Sequence, residues 1–192
     1  METYTKMEEL REAALACRRC GLCQGRTNVV FGSGNPQAKV MFIGEGPGEQ
    51  EDLKGEPFVG RSGQLLDKML AYVELSRQDN IYIANMVKCR PPQNRDPAKD
   101  EVALCMDWLR SQTRLISPRI IVCLGRVAAI SLIDPGFKVT KQHGQFYEKG
   151  GILFMGTYHP AALLRYPSNK PAAMEDLMAL RSKMEELGLG AV

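Results

Sequence analysis

Short apolar segments alternate with amphipathic helical segments along this chain of 192 residues, and that alternation restricts the fold more than any other feature. The apolar segments, which are typical of buried strands, span residues 39–44, 81–87, 118–125 and 152–157. The helical segments span residues 7–17, 62–73, 97–115, 126–132 and 171–187. Such alternation predicts a central, mostly parallel sheet flanked by helices. We therefore predict a single α/β domain over residues 1–192.

Residues that could bind a ligand or take part in catalysis lie at the ends of three of the predicted strands. Gly44, Glu45 and Gly46 follow the first strand, Asn85 lies near the end of the second, and His159 follows the fourth. In open parallel sheets, ligands bind at the carboxyl ends of the strands. The sequence therefore predicts one site at that edge of the sheet.

The glycine-rich segment at residues 44–49 matches no phosphate-binding motif. Glu49 stands where a dinucleotide fingerprint needs its third glycine, and Pro47 removes an amide donor. The glycines still allow the backbone to approach a flat ligand closely. Glu45 either faces such a ligand or is a solvated loop carboxylate. The acidic run at residues 49–52 is predicted to be a solvated face, apart from any one member that is aimed inward. Further on, Asp96 is predicted to cap the helix that follows it.

Three single residues each allow a structural and a functional interpretation. His159 precedes Pro160, which would hold it rigidly, although a lone histidine is more often structural. Phe58 is either a core aromatic or a stacking platform for a planar ligand. Asn85 is either a strand-end cap or a reader of a base edge, since one amide offers both a donor and an acceptor.

Cysteines suggest a metal site. Four of the six can be combined into one thiolate set, namely Cys17, Cys20, Cys89 and Cys105. Their spacing leaves a structural zinc, an iron–sulfur cluster and four buried thiols all open. Cys123 lies inside an apolar strand and is predicted to be a buried hydrophobe, whereas Cys23 continues the three-residue spacing of the first pair.

Composition places the chain among ordinary globular proteins. Hydrophobic residues make up 44% and charged residues 24%, and the net charge of +3 allows a nucleic-acid partner without demanding one. No apolar run approaches the roughly 20 residues needed to span a bilayer, and the N-terminal stretch is predicted to be acidic and amphipathic and not a signal peptide. We therefore predict a cytoplasmic protein without disulfides and without a membrane partner.

Four stretches, taken together, resemble family 4 uracil-DNA glycosylase, an iron–sulfur family. They are GEGPGE at residues 44–49, EPFVGRSGQLL at 56–66, NMVKCRPPQNR at 85–95 and HPAALLR at 159–165. The resemblance covers residues 17–169 and implies the uracil-DNA glycosylase fold. It also implies a monofunctional, monomeric enzyme that excises uracil from single- or double-stranded DNA and leaves an abasic site.

The resemblance also assigns a role to the cysteines. It implies that all four hold a [4Fe–4S] cluster, which ties the N-terminal segment to the 89–105 region. The cluster is then expected to shape a basic surface together with Lys88, Arg90 and Arg95. Because Cys23 lies outside the family's usual ligand set, it is not counted among the ligands.

The remaining site residues are likewise implied by the resemblance. Its uracil pocket would contain Gly44, Gly46, Phe58 as the stacking ring, Asn85 on the Watson–Crick edge, and Glu51 beside C5, where it would reject the methyl group of thymine. Its catalytic residues would be Glu45, which helps to place the water, and His159, which contacts uracil O2 and stabilises the departing anion. Asn94 would support the site and Arg165 would press on the DNA.

In family 1 enzymes an aspartate stands where this chain has Gly46, so Glu45 or a main-chain group must position the water here.

Two other functions are possible for a chain of this kind. A cross-linking relative that bonds covalently to abasic sites would carry a glutamine at the position of Gly46 and a basic insertion after Pro92, and neither is present. An iron–sulfur DNA-binding protein with an inactive pocket is disfavoured because Glu45, Asn85 and His159 are intact.

Overall fold

The computed structural model describes residues 4–189 as one mixed α/β domain. Its helices are α1 (Met7–Leu15), α2 (Glu49–Lys54), α3 (Arg61–Tyr72), α4 (Lys99–Ile116), α5 (Arg126–Leu132), α6 (Val139–Gln142), α7 (Pro160–Arg165) and α8 (Lys170–Glu186). Its strands are β1 (Ser33–Gly34), β2 (Val40–Gly44), β3 (Ile81–Asn85), β4 (Ile120–Leu124), β5 (Phe146–Lys149) and β6 (Ile152–Thr157). Between residues 4 and 189, no helix has the length and apolar character needed to cross a membrane.

The six strands form one sheet in the order β1-β3-β2-β4-β6-β5. The four central strands run parallel, and the two edge strands, β1 and β5, pair antiparallel with their neighbours. The predicted mostly parallel sheet flanked by helices is therefore confirmed. Both edge strands are additions that the sequence did not predict, because each is short and only partly buried.

The central strands are buried because helices cover both faces of the sheet. Every residue of β2, β3 and β4 is buried, as expected for strands that read as continuous apolar runs. Phe42 and Val122 point into one core together with helices α3 and α8, and Met41 and Ile121 point into the opposite core with α4 and α5. Alternate residues thus serve opposite faces of the sheet.

A third apolar cluster lies beside the sheet and holds the N-terminal segment. Leu10 and Ala14 of α1 pack with Trp108 of α4 and with Phe31 and Val87. Because α1 and the long α4 meet here, the cluster joins the beginning of the chain to its middle. The four predicted cysteine ligands belong to the same cluster.

One local prediction was wrong and another was right only in part. Asp96 does not cap α4, which begins at Lys99 after Ala98, and the Ala98 amide instead donates to the Glu101 carboxylate at 2.7 Å. The acidic run at residues 49–52 forms most of α2, where Glu49 and Gln50 are exposed, but two of its members, Glu51 and Asp52, turn inward instead of the one that was allowed for. Both carboxylates accept backbone N–H groups from neighbouring loops, which repays the cost of burying them.

Candidate active site

A pocket of about 750 Å³ opens at the carboxyl ends of the parallel strands. The predicted site residues on its wall are Glu45, Gly46, Glu51, Phe58, Asn85, Asn94, His159 and Arg165. These residues come from four separate stretches of the chain, around residues 45–51, 58, 85–94 and 159–165, and the parallel sheet brings those stretches together. Gly44 does not line the pocket itself, but it lies directly under two residues that do.

Asn85 ends β3 with a buried, unsatisfied acceptor. The residue is 1% exposed, and its Oδ1 has no hydrogen-bond partner anywhere in residues 4–189. A buried carbonyl oxygen without a partner costs about 1–3 kcal/mol. An unpaired group of this kind in a native fold needs an explanation, and a donor that enters the adjoining pocket would provide one.

Gly44 has a steric role in the same place. A Cβ atom at Gly44 would lie 2.5 Å from Asn85 Oδ1 and 2.7 Å from the Phe58 ring. Any side chain there would therefore displace both residues. Phe58 is itself 6% exposed and packs its ring near that of His159, with centroids 5.6 Å apart. It is at once a core aromatic and part of the pocket wall, and its role as a stacking platform stays a prediction.

His159 is held as a neutral hydrogen-bond donor. It caps α7, and its Nδ1 accepts the Ala161 backbone N–H at 3.1 Å, which leaves the ring proton on Nε2. Burial lowers the pKa of His159 to about 4, and the charge of Arg165 adds to the effect. Gly125 packs closely against His159, because a Cβ atom at Gly125 would lie 2.8 Å from the Cβ atom of His159. The imidazole is therefore uncharged and fixed in orientation near neutral pH.

Glu45 is a carboxyl that titrates near neutrality. Its pKa is raised to about 7, first by burial and then by the charge and hydrogen bond of Asp96, against the opposing charge of Arg126. Asp96 and Arg126 are themselves ion-paired at the mouth of the pocket. Sequence reasoning missed both residues as part of the site, because Asp96 was assigned to helix capping and Arg126 only to a helix.

Glu51 lines the pocket, but its carboxylate is also committed to the adjacent loop. Its Oε1 accepts the backbone N–H groups of Val59 at 2.9 Å and Gly60 at 2.8 Å. These bonds give Glu51 a clear role in holding the loop that carries Phe58. Its predicted position beside C5 of uracil stays a prediction.

Two predicted DNA-facing residues lie at the rim. Asn94 adopts a left-handed backbone with φ of 54°, and its Oδ1 accepts from Arg90 Nε at 2.8 Å. Arg165 is exposed at the end of α7 and contributes positive charge next to His159. The placement of both residues is compatible with the predicted support and DNA-contact roles.

The four predicted cysteine ligands lie in one apolar cluster, and N–H donors surround them. Backbone and side-chain N–H groups point at three of the sulfurs: Lys88 N at Cys105, Arg26 Nη1 at Cys89, and Trp108 Nε1 at Cys17, at 3.2 to 3.4 Å. Such bonds to sulfur tune iron–sulfur clusters. Burial raises the pKa of Cys105 to about 11, so a positive partner is needed to keep its thiolate.

In the described part of the chain, no group of three or more His, Cys, Asp or Glu is gathered closely enough to hold one metal ion. The choice between zinc and an iron–sulfur cluster therefore stays with the family resemblance. Cys23 is absent from the apolar cluster that contains the other four, and Cys123 is buried in β4 as predicted.

Lys88 requires a correction. We expected it on a basic surface with Arg90 and Arg95, but it is 2% exposed. Its Nζ donates to the Asn85 carbonyl at 3.0 Å and to Gln112 Oε1 at 2.6 Å, and burial lowers its pKa to about 8. The residue follows a strand whose apolar character continues to Val87, and that position was the available signal for burial.

The fold and the pocket together define a mixed α/β protein with a polar, aromatic-walled pocket at the carboxyl edge of the parallel strands. The chain belongs to the uracil DNA glycosylase superfamily, whose family model matches residues 31–179. It is 46% identical over 169 residues to the type-4 uracil-DNA glycosylase of Archaeoglobus fulgidus, covering 84% of each chain. It is 43% identical over 193 residues to the type-4 enzyme of Thermotoga maritima, covering 96% of this chain and all of that one. A third type-4 relative, from Sulfurisphaera tokodaii, is 42% identical over 183 residues, with 91% and 83% coverage. The predicted family is thus confirmed.

Proposed function

We propose that this protein is a monofunctional uracil-DNA glycosylase, which flips uracil out of DNA and hydrolyses its N-glycosidic bond to leave an abasic site. The observation that carries the proposal is the buried, unpartnered Oδ1 of Asn85, which lies beside Phe58 and His159 in one pocket. A base within a duplex is unreachable, so the enzyme must extrude it at a cost of a few kcal/mol.

Uracil fits the polarity of the Asn85 carboxamide. Uracil N3–H is a donor for the unpartnered Oδ1, and its O4 is an acceptor for the amide Nδ2. Cytosine presents the reverse arrangement, with N3 as an acceptor and its amino group as a donor. Phe58 supplies a ring on which the base stacks, a contact worth about 1–3 kcal/mol. Recognition by this pair favours uracil, because cytosine would leave both amide groups unpaired.

His159 supplies the leaving-group stabilisation. Bond cleavage develops negative charge on uracil, and the Nε2–H of a neutral imidazole is a preorganised donor toward O2. A pKa of about 4 keeps the ring uncharged across the neutral range, so the hydrogen bond strengthens as the uracil charge develops. Loss of one donor of this kind typically lowers the rate by about 10²–10³.

Glu45 positions the attacking water. As a carboxylate, it accepts a hydrogen bond from water and favours the positive charge that develops on the sugar. Its pKa of about 7 leaves a substantial ionised fraction near neutrality. Within residues 4–189 no lysine lines the pocket, which supports a hydrolytic reaction over one that forms a Schiff base.

DNA is held by the arginines at the pocket rim, of which Arg165 is exposed beside the catalytic histidine. The net charge of +3 is compatible with a phosphate-rich partner. We also propose that the enzyme is a cytoplasmic monomer and that it acts on single- or double-stranded DNA.

Cys17, Cys20, Cys89 and Cys105 would hold a [4Fe–4S] cluster. Its contribution is structural, because it would cross-link the N-terminal segment to the 89–105 region that carries Asn94 toward the pocket. The three N–H groups directed at these sulfurs support this assignment. The hydrolytic steps themselves need only the side chains of the pocket.

A single oligonucleotide assay tests the proposed function. Excess protein is mixed with a labelled strand containing one uracil, either single-stranded or paired with guanine, and the product is resolved with and without alkali. We expect a break that appears only after alkali, as an abasic site requires, and no break with thymine or cytosine at the same position.

The alternatives give different products in the same gel. A covalent protein–DNA band would indicate the cross-linking activity, and a shifted but intact strand would indicate a binding protein. His159→Ala serves as the matched control: it should bind the strand as the parent does yet cleave it about 10²–10³ times more slowly. Equal single-turnover rates at saturating protein would remove His159 from catalysis.

A further inference from the structure

Phe58 has a backbone conformation that a bulky residue rarely adopts. Its φ is +53°, in the left-handed region, where such a residue is a genuine outlier. Conformations of this kind are unfavourable and persist only where neighbouring groups hold them, often at functional sites. The strain at Phe58 therefore needs a structural cause, and the groups around residues 57–60 supply it.

Arg77 is the main holder of this loop. The residue is 8% exposed and lies in the turn before β3, and its Nη1 donates to the Pro57 carbonyl at 2.7 Å and its Nη2 to the Phe58 carbonyl at 2.9 Å. Its Nε and Nη2 also donate to Asp67 Oδ1, at 3.2 and 2.8 Å. Glu56 lies 3.6 Å from Nη1. The planar guanidinium thus grips consecutive carbonyls while the carboxylate of α3 fixes its orientation.

The other side of the loop is held as firmly. Glu51 accepts the next two backbone N–H groups, those of Val59 and Gly60. Gly63 lets the loop approach α3, because a Cβ there would lie 1.8 Å from the Phe58 carbonyl oxygen. Carbonyls on one side and amides on the other are therefore both fixed around one strained residue.

We propose that Arg77 is a positioning residue for uracil excision, which clamps residues 57–60 so that Phe58 stands as a preformed stacking platform. This inference rests on the proposed function, since the platform matters only if a base enters the pocket. Arg77 does not touch the base. It acts through the Phe58 backbone, and it lowers the cost of ordering the ring when uracil arrives.

Arg77→Met tests the clamp, with Arg181→Met as its matched control. Arg181 is a partly buried arginine that also bonds to two carboxylates, those of Glu74 and Glu185, away from this loop. We expect Arg77→Met to lower the single-turnover rate on uracil-containing DNA by about 10- to 100-fold and to weaken inhibition by free uracil. Arg181→Met should change neither quantity, and affinity for uracil-free duplex should stay constant in both variants.

A double-mutant cycle separates positioning from a merely structural role. In a Phe58→Ala background, Arg77→Met should lower the rate by less than about threefold, because the group it positions is already gone. An undiminished effect in that background would overturn the proposal. If Arg77→Met does not fold, Asp67→Asn, which loosens the guanidinium without removing it, should give the same non-additivity.

The outcomes distinguish the clamp from the function on which it rests. A parent protein that leaves uracil-containing DNA intact would refute the glycosylase itself. A parent that excises uracil while Arg77→Met and Asp67→Asn both cleave normally would refute only the clamp. A normal rate in Phe58→Ala would refute the platform and the clamp together.

Discussion

Asp96→Asn is expected to extend uracil excision to lower pH, and Arg126→Gln is expected to restrict it to higher pH. The pKa of Glu45 is raised to about 7 by burial and, to a smaller extent, by the charge and hydrogen bond of Asp96, while the charge of Arg126 opposes both. Because Asp96 and Arg126 are ion-paired, removing either one also frees the charge of the other. In each variant, the loss of one charge and the release of its partner therefore shift the pKa of Glu45 in the same direction.

The expected magnitude follows from the ionised fraction of Glu45. At pH 6, a carboxyl with a pKa of about 7 is roughly one-tenth ionised. A pKa lower by about one unit would leave it about half ionised, which corresponds to a rate increase of about fivefold in Asp96→Asn. A pKa higher by about one unit in Arg126→Gln would lower the rate at pH 6 by about tenfold. The three proteins should converge only near the top of the pH range, at about pH 9, where Glu45 is mostly ionised in all of them.

The assay is a single-turnover rate measured with saturating protein between pH 5.5 and pH 9, so that changes in DNA affinity do not enter. His159 has a pKa of about 4 and does not titrate in that range, so a loss of rate below neutrality reports Glu45. Glu45→Gln should be slow at every pH and should lack the transition. The reasoning fails if all three profiles fall at the same pH, or if Glu45→Gln retains the transition.

Three further predictions concern the cluster, the stacking ring and the DNA contact. Cys105→Ala should lose iron and visible absorption and should unfold at a lower temperature, whereas Cys123→Ala should keep its iron, as measured by metal analysis of anaerobically purified protein. Phe58→Ala should weaken the binding free energy of uracil by about 1–3 kcal/mol, measured by inhibition with free uracil. Its affinity for uracil-free duplex, measured by titration, should change little. Arg165→Ala should weaken binding to all sequences and reduce the salt slope by about 1, measured by titrations at several salt concentrations. Zinc in place of iron, unchanged uracil inhibition or an unchanged salt slope would contradict the respective prediction.

The sheet could be predicted because its central strands are buried on both faces. Continuous apolar runs such as Ile120–Leu124 have no other stable location, and the helices between them fix the parallel connection. The strand ends then bring Glu45, Asn85 and His159 to one edge of the sheet. Most of the pocket residues could therefore be predicted from the sequence. The roles of these residues came from the family resemblance, since each of them also had a purely structural interpretation.

The parts that could not be predicted depend on tertiary contacts without periodicity. Arg77 bonds to backbone carbonyls some 20 residues away, and no side-chain pattern encodes such partners. Lys88 was assigned to the surface by its charge, although it bonds to Asn85 and Gln112 in the interior. Asp96 had the residue type and the position of a helix cap, yet an arginine from another helix engages it instead.

The measurement that tests the central claim most directly is the uracil-to-cytosine ratio of single-turnover rates in Asn85→Asp. The substitution removes the amide donor for uracil O4 and leaves acceptors that suit the amino group of cytosine. We predict a loss of about 1–3 kcal/mol on uracil and a relaxation toward cytosine. Asn80→Asp, in the turn before β3 and bonded to Ser76 and Glu74, should keep the parental ratio. An Asn85→Asp protein that excises uracil at the parental rate would contradict the account.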